Sequence, residues 1–293
     1  MRRLLSFTLV RLVVLFVLVA GMAVLSQLAT ALVALHVPEE ARTAALVAGW
    51  LIGAPLILVV YRLAVRLIER RRPAELAALG GLRFVLMGVA FGAMLIATTY
   101  VVLWSVSVAH YDGLGSLAGV PLVFAISVGS AVGEELIFRG VLFRIVEEGF
   151  GTLVALAVSA ALFGGLHAWN PGASLVSSVA IALEAGILLG LAYAGTRSLW
   201  LPIGIHFGWN FTEGGVFGGA ISGVAVPGMV QVPLAGPPLL TGGDFGPEAS
   251  VVTLAVCLTA SVILLLATAR HGQWRRLRAV LRHPGGPPGR PVW

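Results

Sequence analysis

Within long apolar stretches the chain carries a small set of groups able to move protons. Glu134, Glu135 and Arg139 share one run, His167 closes the next, Glu184 stands alone in a third, and His206 and Asn210 share a fourth. Ionisable groups at membrane depth are costly and are functional candidates by default. Glu135 and Arg139 are spaced i,i+4 and can pair on one helix face. Glu134 is turned about 100° away and stays available as a reactive carboxylate, suited to a general base. His206 and Asn210 are also i,i+4, so an imidazole and an amide face the same way and can donate to a developing oxyanion. Alone, the Glu-Arg pair reads equally well as a structural lock, and a single buried histidine as a packing residue.

Depth argues for one site. Glu134 precedes Glu148 by 14 residues, about 21 Å of helix, and His167 follows Gly151 by 16, about 24 Å. His206 and Asn210 rise roughly 12 and 18 Å above Ser198. Three helices thus bring polar groups to nearly one layer. Small residues beside them (Gly129, Ser130, Ala131, Gly133, Gly140, Gly164, Gly165) allow close helix approach. Glu184 reads as a supporting acid. Glu134, Glu135 and Glu184 are the acids expected deep in the spans, and Glu147 and Glu148 read as a solvated helix end.

The elements that must carry these groups follow from composition. Of 293 residues 58% are hydrophobic and 11% charged, against about 25% charged in soluble domains. This excludes a soluble enzyme, a disordered chain and a disulfide scaffold; the one cysteine, Cys257, leaves no disulfide framework. Runs near the length needed to cross about 30 Å of hydrocarbon lie at Leu12–Leu35, Thr43–Tyr61, Phe84–Ala109, Leu117–Arg144, Thr152–His167, Leu175–Ala194, Leu199–Phe217 and Ala249–Ala269. The first is too long for a signal-peptide core and reads as a retained span. The reading is an all-α polytopic bundle of about eight transmembrane helices.

All 19 basic residues are arginine. With both termini in the cytoplasm, 18 of the 19 fall on the inner side and only Arg42 outside, as the positive-inside rule requires. Net charge +6 therefore reads as membrane orientation rather than nucleic-acid binding. The arginine-only basic set, with abundant Ala, Val, Gly and Leu, suggests a GC-rich, bacterial source and a multi-pass protein of the cell membrane. Four regions are expected: a three-helix membrane region over 1–115, the helices bearing the polar groups over 116–217, a Gly/Pro-rich external loop over 218–249, and a last span with a basic cytoplasmic tail over 250–293. The tail suits anionic lipid headgroups.

Glu134-Glu135-x-x-x-Arg139, Phe163-x-x-x-His167 and His206-x-x-x-Asn210, in this order on three spans, resemble the three motifs of the CAAX protease and bacteriocin-processing (CPBP) family of intramembrane proteases. The resemblance covers about Leu117 to Phe217. It implies an eight-span endopeptidase cleaving peptide bonds in a membrane cavity. Glu134 and His167 would activate water, His206 and Asn210 would stabilise the oxyanion, and Glu135 and Arg139 would be structural partners. The family is often called metalloprotease, and His167, His206 and Glu134 could form a His₂Glu zinc site. Lacking a His-Glu-x-x-His helix, the sequence favours metal-independent chemistry slightly. The expected partners are a peptide or membrane-protein substrate and the bilayer. Two readings from other classes stand beside this: a transporter or ion relay through Glu134, Glu184 and the histidines, against which the lack of an internal repeat argues, and a non-catalytic membrane scaffold.

Overall fold

The computed structural model describes residues 8–275; the arginines before and after these limits, and with them most of the proposed basic tail, lie outside the described residues. The chain forms α1 (Thr8–His36), α2 (Glu39–Ala64), α3 (Gly81–Ser105), α4 (Val120–Glu135), α5 (Arg144–Phe150), α6 (Thr152–Leu166), α7 (Leu175–Ile181), α8 (Ile187–Thr196), α9 (Trp200–Asn210), the short α10 (Pro238–Thr241) and α11 (Val251–Arg270). No strand is present among the described residues, only isolated bridges such as Leu114 to Val230. Backbone groups in lipid must bond within their own segment, and helices satisfy that requirement.

Among the described residues seven helices are long and apolar enough to cross a membrane: 8–36, 39–69, 81–105, 117–150, 152–169, 175–196 and 251–270. The eighth expected crossing is shorter. It comprises the 11 residues of α9 and a 6-residue π-helical continuation, Phe211–Val216. Most of α9 is buried, from Pro202 to Asn210. Enclosed by protein rather than lipid, it need not match the full hydrocarbon thickness. By contrast α1 exposes Val17, Leu25 and Leu32, as a lipid-facing helix does.

Glycine fixes the position of α9. A Cβ on Gly88 or Gly92 of α3 would come within 2.5 or 2.1 Å of the Leu201 or Ile205 carbonyl. Reciprocally, a Cβ on Gly204 or Gly208 would come within 2.4 or 2.3 Å of the Val85 or Val89 carbonyl. Two small-xxx-small stripes thus lock α3 and α9 backbone to backbone. Gly208→Val should cost about 3 kcal/mol through overpacking and lower the thermal midpoint in detergent. Gly165→Val should leave the midpoint unchanged, because nothing lies within 4 Å of its Cβ position. Gly165 therefore does not serve helix approach as expected, whereas Gly164 does, its Cβ position being 2.2 Å from the Ser178 carbonyl.

The arginine-rich end is an ion-pair lattice. Glu69 pairs with Arg11, Arg71 and Arg144, and Arg71 also pairs with Glu75. Burial alone would raise the Glu75 carboxyl, but the hydrogen bond from Arg71 and the charges of Arg144 and Arg71 hold it below its ordinary value. Tyr61 Oη reaches both Glu75 (2.5 Å) and the Gly140 carbonyl (3.0 Å), tying α2 to the segment after α4. Glu147 corrects the expectation of a solvated helix end: it is 2% exposed, pairs with Arg197 and accepts from Thr152 Oγ1 at 2.6 Å. Glu148 is part-exposed and pairs with Arg144 and Arg11.

Candidate active site

Each helix that carries the polar motifs departs from α-helical geometry beside them. The chain is π-helical over Leu136–Phe143, Ala182–Gly186 and Phe211–Val216. Single π turns within helices often mark functional sites, because the wider turn frees backbone carbonyls and re-aims side chains. Here the freed carbonyls are used. Arg139 donates through Nη2 to Ala185 O (2.8 Å) and Gly186 O (3.2 Å) in the second π turn.

Arg139 also donates through Nη1 to Glu135 Oε1 at 2.9 Å, and both side chains are fully buried. Its guanidinium lies 4.7 Å from the centroid of the Phe163 ring, a cation–π contact. The same Glu135 oxygen lies 3.1 Å from His206 Nδ1. The expected i,i+4 pair is thus present, and it reaches further, joining α4 to α6, the Ala182–Gly186 turn and α9.

His167 opens a 3₁₀ turn, His167–Trp169, at the end of α6, just before Asn170-Pro171-Gly172. Its Nδ1 is 2.8 Å from Phe163 O. A carbonyl can only accept, so Nδ1 carries the proton and, in the neutral ring, Nε2 is left as the acceptor. Asn210 donates from Nδ2 to Ser130 Oγ at 3.4 Å. His167, Glu184, His206 and Asn210 line one cavity of about 40 Å³, together with Phe163, Trp209, Ser222, Glu248 and Cys257. A space of that size holds a few waters. Glu134 is not in this lining. It is part-buried on α4 next to Glu135, and its Oε2 is enclosed without a hydrogen-bond partner.

Two further buried acids meet at Trp209, and one of them, Glu248, lines the cavity. Glu213, in the π turn after α9, is fully buried, which corrects the expectation that Glu134, Glu135 and Glu184 are the only deep acids. Glu248 comes from the Gly/Pro-rich segment before α11 and is 5% exposed. Trp209 Nε1 shares its proton between Glu213 Oε2 (3.0 Å) and Glu248 Oε1 (3.1 Å). Glu248 Oε2 accepts from Ser222 N (2.6 Å) and Ser222 Oγ (2.8 Å). Burial raises the Glu248 carboxyl above its ordinary value, outweighing the Ser222 donors and the charges of His167 and His206. The segment after α9 therefore does more than link spans: it folds back and inserts a carboxyl beside the histidines. Gly223, at φ +86° and with its Cβ position 1.9 Å from the Pro171 carbonyl, lets it approach the turn after α6.

The proposed zinc set does not fit as arranged. Among the described residues no three His, Cys, Asp or Glu side chains converge as a ligand group. His167 Nδ1 and His206 Nδ1 are engaged by a carbonyl and a carboxylate, which leaves Nε2 of each ring as the nitrogen free to face a ligand.

Glu135, Arg139, His206 and Asn210 are thus buried together within a multi-pass helical bundle. Residues 116–212 match the family described as type II CAAX prenyl endopeptidase Rce1-like. Over this segment, about a third of the chain, the protein is similar to the CAAX protease and bacteriocin-processing family. The match begins just before α4, contains all three motifs and ends two residues beyond Asn210. No curated protein and no solved structure matches the chain.

Proposed function

We propose that the protein is an intramembrane endopeptidase that hydrolyses peptide bonds of a peptide or membrane-protein substrate with water activated by Glu134 and His167. The observation that carries this reading is the convergence of His167, His206 and Asn210 on one water-sized cavity, within the segment that matches the endopeptidase family.

In this mechanism a water at His167 Nε2 loses a proton towards Glu134, which stands outside the cavity lining with its charge acting on His206. The water oxygen then attacks the carbonyl carbon. Negative charge gathers on the former carbonyl oxygen, where Asn210 Nδ2 and His206 Nε2 donate. For His206 to donate from Nε2 while Nδ1 faces Glu135, the ring must be the imidazolium, and the Glu135 carboxylate balances that charge. Arg139 holds Glu135 in place. The chemistry proposed is metal-free, in keeping with the ligand geometry. The bundle is taken to sit in a bacterial cell membrane with both termini in the cytoplasm, its basic tail near anionic lipid.

The test is cleavage of a quenched-fluorescent apolar peptide by the purified full chain in lipid nanodiscs. Asn210→Ala should lower kcat by about 10²-fold with a small change in KM, as loss of one oxyanion donor does. Turnover that persists in chelator, in protein free of zinc by elemental analysis, supports the metal-free arm; turnover that requires added zinc overturns it.

A further inference from the structure

Hydrolysis of an amide needs an acid as well as a base, because the departing nitrogen must take a proton. Of the two carboxyls that line the cavity, Glu184 is the one without a hydrogen-bond partner. It is 2% exposed, lines the cavity shared by His167, His206 and Asn210, and neither of its oxygens has a hydrogen-bond partner. Its two acidic neighbours are held as acceptors, Glu248 by Ser222 and Trp209 and Glu213 by Trp209. Burying an ionised carboxylate without a donor is very costly. A carboxyl that accepts from no group and faces an enclosed cavity is arranged to give a proton rather than to hold a charge.

The Ala182–Gly186 π turn sets this placement. It carries Glu184 towards the cavity while the next two carbonyls, of Ala185 and Gly186, bind Arg139. Nearby on α6, Gly186 meets Ala160 with a Cβ position 2.7 Å from its Cα. The turn is therefore clamped from both sides, and Glu184 projects from a fixed backbone.

We propose that Glu184 is the general acid of the reaction, protonating the leaving amine. This rests on the endopeptidase reading and deepens it. As the water oxygen–carbon bond forms, one water proton passes to Glu134. As the carbon–nitrogen bond breaks, the Glu184 proton passes to the nitrogen. The products are a carboxylic acid and an amine, and the proton on Glu134 returns to Glu184 through water between the two carboxyls, which closes the cycle.

The experiment uses the full chain in nanodiscs and two probes. One is an apolar quenched-fluorescent peptide cleaved by the wild type. The other is the same peptide with its scissile amide replaced by a thioester, whose thiolate leaves without a proton. Glu184→Gln should lower amide turnover by about 10²-fold and thioester turnover by less than about 5-fold. A parallel loss on both probes, or no loss on the amide, overturns the assignment. If Glu184→Gln fails to fold by size exclusion, Glu184→Ala supplies the second reading: added formic acid should restore amide turnover, and no rescue counts against the proposal. Glu134→Gln should abolish both reactions. If it leaves them intact, the Glu134 mechanism has failed, whereas the amide–thioester split still reports on Glu184.

Discussion

Glu134→Gln should lower peptide-bond hydrolysis by about 10³-fold or more and leave the thermal midpoint unchanged. Gln has nearly the shape of Glu but cannot take a proton from water. The structure separates the two adjacent acids in a way that makes this testable. Glu135 is fully buried and joins Arg139 and His206 through one oxygen. Glu134 is part-buried, and its Oε2 has no hydrogen bond to lose. Glu135→Gln should therefore lower the midpoint as well as the rate, whereas Glu134→Gln should lower the rate alone. Activity assays and thermal unfolding on the same preparations distinguish the two. A fall in midpoint for Glu134→Gln, or an unchanged rate, would remove Glu134 from the role of base.

How much of this site was legible in the chain depends on the range of the interaction. The Glu135–Arg139 pair was readable because i,i+4 spacing survives at the start of a π turn. The common depth of His167, His206 and Asn210 was readable because rise per residue is nearly constant along a span. The π turns were not, since no apolar period encodes them; they follow from tertiary demand on the backbone, here the Arg139 donors. Glu248 was hidden because its partners, Ser222 and Trp209, are 26 and 39 residues away in a segment without periodicity. Glu147 was misread for the same reason: its arginine lies 50 residues on. Gly88, Gly92, Gly204 and Gly208 were visible as residues, but only the packing of α3 against α9 shows that the two stripes face each other. Charge pattern and span length are thus enough to read the bundle and the level at which His167, His206 and Asn210 meet. The second acid shell around Trp209 came from long-range folding.

Arg139→Met should cost about 3 kcal/mol of stability, among the largest losses available in this bundle. Three separate observations set that size. The guanidinium is fully buried, so the native state already carries its desolvation. It holds three acceptors at once, Glu135 Oε1, Ala185 O and Gly186 O. It also stacks over Phe163. Removing it strands the Glu135 charge in a low-dielectric interior, and an uncompensated buried charge costs more than the pair was worth. His206 can take part of that charge as imidazolium, since its Nδ1 is 3.1 Å from the same oxygen. The loss therefore sits at the lower end of the usual 3–5 kcal/mol range for breaking a buried pair. The double substitution Glu135→Gln with Arg139→Met should be less destabilised than Arg139→Met alone, because no charge is left stranded. A double-mutant cycle on thermal midpoints measures that sign directly. If the double variant loses as much as the two single losses added together, pairing between Glu135 and Arg139 is not what sets the loss.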